Sequence, residues 1–251
     1  MDTKSELSRN FQLEEIFDSA KIGSEEDFDK VIGSVFNKIH KENGKGEFFG
    51  TTLPFTKRIY GDNWRKAGHR LLGIIEKGLQ HKPDQIGKYF EEVIGEDELE
   101  YAEKPKKEIL QGIARDINDL ILYVRAKRLL EGKDFEVKGL IIYGSYAKNN
   151  FNFSSDLDII TVCSGKNKGE LDSGRREFFR ELSKKIHPDP DVWTSVLVEN
   201  LSEELQYIPG NSPVVIVTPY PDVRQKMEES ANAAGIVYRS FSQVSKEEVE
   251  K

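Results

Sequence analysis

The hydrophobic positions along the chain follow two different rhythms, and the change falls near residue 132. In FQLEEIFDSAKI (11–22) and EEDFDKVIGSVFNKIHKEN (25–43) apolar residues recur three and four apart, the spacing of one helix face, until Gly44 and Gly46 interrupt the second pattern. The aromatic stretch GEFFGTTLPFTKRIYGDNW (46–64), punctuated by Gly and Pro, fits a short strand pair or a packed loop equally well. Helical spacing resumes from about Trp64 to Gln80 and again from Pro83 to Ile94, before the charged break GEDELEYAEKPKKE. The strongest helix pattern is KKEILQGIARDINDLILYVRAKRLLEG. Ile109, Ile113, Ile117, Leu120, Ile121 and Val124 form one stripe, and Gly132 stands where a C-terminal cap is expected.

Beyond Gly132 the runs are short and rich in β-branched or aromatic residues: VKGLIIYG, DIITVC, VWTSVLV, PVVIVT and IVYRSF. Helix-like stretches, Ser173 to Ile186 and Asp222 to Ala234, lie between some of them, and SQVSKEEVEK closes as a polar tail. The expected fold class is α+β, with a mostly helical N-terminal domain over 1–132 and a sheet-containing domain over 133–251.

Composition narrows the function classes only modestly. At 251 residues the chain can bury a substantial core. A net charge of −7, with 32% of residues charged, gives no global attraction to nucleic acid or to an anionic membrane. The single cysteine, Cys163, excludes an intrachain disulfide and reads as a small buried thiol. No long apolar stretch follows a basic start and no window reaches membrane-spanning length, so the expected location is cytoplasmic, with no membrane partner. His40, His69, His81 and His187 are scattered and point to no zinc or histidine centre; Trp64 and Trp193 read as core residues.

The candidate chemistry lies in GSYAKNNFNFSSDLDII, residues 144–160. A buried strand runs into Gly144-Ser145, where glycine permits a sharp turn and close backbone approach, and a serine hydroxyl with free amides can hold phosphate oxygens. Asp156 and Asp158, at the start of the next strand, share a face about 7 Å apart along the chain. Like charges placed so are most easily stabilised by cations between them, and two divalent ions about 3.5–4 Å apart are a device for phosphoryl transfer. Hard oxygen ligands favour Mg2+ or Mn2+ over zinc.

Strand, Gly-Ser, a spacer ending Ser-Ser, Asp-Leu-Asp and a second apolar strand together resemble the signature of the nucleotidyltransferase superfamily related to DNA polymerase beta. The resemblance covers roughly Val137 to Val217. It implies a mixed sheet flanked by helices, two metal ions, and transfer of a nucleoside monophosphate from a nucleoside triphosphate to an acceptor hydroxyl, releasing pyrophosphate. On that basis Gly144 and Ser145 would contact the triphosphate, and Asp156 and Asp158 would hold the metals. A third carboxylate on a neighbouring strand matches Asp191 best, with Asp189 a close rival and Glu199 a poorer one. Family members often carry Arg-Gly soon after Gly-Ser-x-Ala, whereas this chain has Lys148-Asn149; lysine keeps the charge for a phosphate but loses the planar fork. ATP leads among donors because it is common in the family, and the acceptor stays open among small molecules, proteins and RNA. The alternative is a domain of the same kind that has lost turnover and binds nucleotide or protein. Arg175 and Arg176 are further phosphate candidates. RKAGH (65–69) lacks the spacing of the ribonuclease signature found in helical partners of small nucleotidyltransferases, so no ribonuclease activity is assigned to the N-terminal half.

Overall fold

The computed structural model describes Gly33 and residues 53–64, 106–132, 136–151, 155–164, 168–208 and 212–241. Apart from Gly33 and Trp64, both helical, the helices expected over 11–22, 25–43, 64–80 and 83–94, and the RKAGH segment, lie outside the described residues. The chain divides into two compact units, one formed by Met1–Pro105 with Asn152–Ser154 and the other by Lys106–Phe151 with Ser155–Lys251.

In the first unit the described elements are helix α1 (Leu53–Tyr60) and a 3-10 turn, Gly61–Asn63. The aromatic stretch is therefore neither a strand pair nor a loop at this point. Phe55, Thr56, Ile59 and Tyr60 are buried at helical spacing, and Pro54 sits in the first turn, where its missing N–H has no intrahelical partner to lose. Trp64 is buried as expected, with the Lys57 ammonium 5.5 Å from its ring centre.

The second unit is built on a mixed five-stranded sheet. Its strands are β1 (Glu136–Ile142), β2 (Leu157–Ser164), β3 (Pro190–Leu197), β4 (Val214–Val217) and β5 (Tyr238–Phe241), in the order β3-β2-β1-β4-β5. β1 is antiparallel to both β2 and β4, while β2 with β3 and β4 with β5 are parallel. The parallel pairs require crossovers, supplied by helix α4 (Lys168–Lys185) between β2 and β3 and α6 (Pro221–Ala233) between β4 and β5. Among the described residues the other helices are α2 (Lys106–Leu130), α3 (Gly144–Lys148) and α5 (Leu201–Leu205). The fold class is α+β, and each β-branched run of the second half became a strand.

Alternation along the strands divides the core. Ile141, Ile160, Val162, Val196, Val214 and Ile216 pack with Leu201, Leu205, Val223, Met227 and Ala231 of α5 and α6. The residues between them face the other way, where α2 and α4 pack against β1. The α2 stripe is buried as expected, and Gly132 closes the helix at φ +67°. Cys163 is buried, which pushes its thiol up to about 12. Among the described residues no helix is long and apolar enough to cross a membrane.

Candidate functional site

Three strand ends meet at one edge of the sheet. The Tyr143 amide, at the exit of β1, donates to the Asp158 carbonyl at 3.1 Å, and the Leu157 amide donates to the Asp189 carbonyl at 2.9 Å. Asp158 and Asp191 are register partners in the parallel β2–β3 pair, so their side chains leave the same face. Carboxylate oxygens of Asp156, Asp158 and Asp191 all lie within 4.8 Å of one another. Asp156 and Asp158 are half-buried and Asp191 is exposed.

Three carboxylates gathered this closely suit a hard divalent cation, whose charge would offset their mutual repulsion. A neighbouring group feels that negative field. The Tyr143 phenol is pushed up to about 12, first by burial and then by the charges of Asp158, Asp191 and Asp156, so it stays neutral across the ordinary pH range.

Gly144 is required by this geometry. Its φ is +65°, and a Cβ there would stand 1.8 Å from Asp158 Oδ2. The glycine thus lets the turn after β1 lie directly against a carboxylate. Ser145 follows, and its Oγ is buried with no hydrogen-bond partner among the described residues. An orphaned buried hydroxyl costs free energy unless something accepts or donates to it, as a phosphate oxygen would. The turn is closed by the Asn150 amide on the Ser145 carbonyl at 3.0 Å and by Asn149 in the left-handed region at φ 61°. Lys148 is exposed at its end.

The rival third carboxylates are placed differently. Asp189 is outside the group of three, and its backbone carbonyl holds the start of β2. Glu199 lies in the 3-10 turn Val198–Asn200 past the opposite end of β3, beside an open cleft of about 390 Å³ that none of the three aspartates lines. Arg175 influences Cys163, at the far end of β2 from the aspartates, and Arg176 is exposed.

Trp193 is not a core residue; it is 45% exposed. The register of β2 and β3 shifts between Ile159 and Ile160, leaving Trp193 as the extra residue of a bulge on an edge strand. Its ring meets Tyr143 edge-on, with centroids 6.0 Å apart, so an aromatic wall stands beside the carboxylates. The position two residues after Asp191 was the available signal. Two further residues gave no sequence signal. His187 is buried and bonded to Tyr146, and Arg239 of β5 donates from Nη2 to the Ala147 carbonyl in α3.

Comparison with protein families matches the nucleotidyltransferase domain model to residues 126–211. Comparisons with curated proteins and with solved structures gave no match. The matched stretch takes in the Gly144-Ser145 turn and all three clustered aspartates, and ends ahead of β4, α6 and β5. Residues 126–211 are thus similar to the nucleotidyltransferase domain family.

Proposed function

We propose that the protein is a metal-dependent nucleotidyltransferase that moves a nucleoside monophosphate from a nucleoside triphosphate to an acceptor hydroxyl. The observation that carries this reading is the convergence of Asp156, Asp158 and Asp191 beside a glycine whose missing side chain leaves room for the Asp158 carboxylate. Asp156 and Asp158 hold Mg2+ or Mn2+, and Asp191 completes the set. Bound there, divalent ions supply charge neutralisation for the triphosphate and for the attacking and leaving oxygens.

The chain's own groups do the rest. Gly144 brings the backbone close to the triphosphate, the Ser145 hydroxyl donates to one of its oxygens, and Lys148 offers a mobile positive charge at its edge. Asp191, the exposed member of the three, orients the acceptor hydroxyl or takes its proton as oxygen attacks the α-phosphorus in line and pyrophosphate leaves. Positioning and electrostatics account for most of the rate. ATP is the first donor to try, and the acceptor is sought among small molecules, proteins and RNA.

The test is pyrophosphate release with each of the four nucleoside triphosphates, Mg2+ or Mn2+, and a mixed acceptor pool, comparing the wild type with the Asp156→Asn, Asp158→Asn double variant. Metal-dependent release that vanishes in the folded double variant supports the proposal. Release that persists in that variant overturns it, and tight nucleotide binding without release moves the reading to a binding module.

A further inference from the structure

The turn that carries Ser145 is anchored by a polar tie that runs to the backbone next to the three aspartates. Tyr146, the next residue, is 0% exposed, and its ring lies flat on Phe151, with centroids 4.1 Å apart and planes 6° from parallel. Tyr146 Oη is 2.7 Å from Nε2 of His187, which is 1% exposed and meets the ring edge-on at 84°. The Asp189 amide donates to His187 Nδ1 at 3.1 Å. Nδ1 is thus an acceptor, which assigns the proton of the neutral ring to Nε2, and Nε2–H donates to Tyr146 Oη.

The tie continues through the backbone of one residue, Asp189. The Asp189 carbonyl accepts from Leu157, the residue between Asp156 and Asp158, and Asp191 follows two positions later. We infer that the Tyr146–His187 hydrogen bond fixes the Ser145 turn relative to the aspartates, making both side chains positioning residues for donor binding. A directional bond between two buried polar groups specifies one geometry, whereas apolar side chains of similar size would fill the space without setting it. A five-residue helix such as α3 has little packing of its own to do this.

The inference rests on the transfer reaction proposed above, and the test separates the two. The full-length chain is compared as wild type, Tyr146→Phe, His187→Asn, His187→Gln and the Tyr146→Phe, His187→Asn double variant. Affinity for Mg·ATP is measured by calorimetry, pyrophosphate release by the assay above, and folding by circular dichroism. Asparagine can keep an acceptor for the Asp189 amide while losing the reach to Tyr146; glutamine can keep that reach. Tyr146→Phe and His187→Asn should each weaken Mg·ATP affinity roughly tenfold in the folded protein, the double variant should be no worse than either, and His187→Gln should recover part of the loss. Variants that lose thermal stability but bind and turn over ATP like the wild type make the tie merely structural and overturn the inference. So do two single losses that simply add. A wild type that neither binds nor turns over ATP or any other triphosphate overturns the reaction and this inference together. If His187→Asn does not fold, Tyr146→Phe, which keeps the ring on Phe151, decides alone.

Discussion

Replacing Gly144 with alanine separates what the fold needs from what the carboxylates need. At φ +65° an L-residue with a Cβ costs about 1–2 kcal/mol. The new methyl would also stand 1.8 Å from Asp158 Oδ2 and 2.8 Å from its Cγ, too close to keep. The Asp158 side chain end can rotate away, so the clash should be relieved by displacing the carboxylate rather than by unfolding the domain. Gly235 provides the control, because it has φ +68° with nothing within 4 Å of the place a methyl would occupy. At about 2–4 °C per kcal/mol, both Gly144→Ala and Gly235→Ala should lower the unfolding midpoint by about 2–8 °C. Only Gly144→Ala should lose Mn2+ affinity, by at least roughly tenfold, and nucleotidyl transfer with it. Paramagnetic resonance titration of free Mn2+ and the pyrophosphate assay measure this on the same samples. Equal Mn2+ affinity in the two variants would refute the reasoning, as would a Gly144→Ala protein that fails to fold.

Three further outcomes are expected. Ser145→Ala should weaken donor binding several-fold without lowering thermal stability, since it removes a buried hydroxyl that has no partner among the described residues; a clear loss of stability in calorimetry would count against that role. Asp191→Asn should cut transfer roughly a hundredfold or more, whereas Asp189→Asn should change it only a few-fold, and the reverse order in a rate assay would exchange their assignments. Tyr220, pushed up to about 12 by burial and by its bond to Glu136, holds its proton in the folded state above pH 10, where the unfolded chain releases it. Its contribution is therefore complete below about pH 10 and lost as pH rises towards 12, so the midpoint gap between wild type and Tyr220→Phe should narrow over that window; a gap that widens would contradict the sign.

Much of the second unit was legible because its strands are short β-branched runs with turns between them, and the alternation of Asp156, Asp158, Ile160 and Val162 placed both aspartates on one face. The α2 stripe announced a helix but not its partner, which is the sheet: periodicity reports that a face is buried, not against what. Residue type alone places Trp193 in the core, while a bulge on an edge strand turns it outward. The link from Tyr146 to His187 spans 41 residues and exists only once β2 and β3 are paired, so no local pattern could reveal it. The aromatic stretch around Phe55 mixed turn residues with helical spacing, and tertiary burial decided for helix.

The most direct test of the central claim is transfer of label from a nucleoside triphosphate labelled at the α-phosphate, in Mg2+ or Mn2+, to a covalent acceptor product, with wild type and folded Asp158→Asn side by side. The account predicts label transfer by the wild type alone, abolished by chelation. Transfer by Asp158→Asn at the wild-type rate would contradict it.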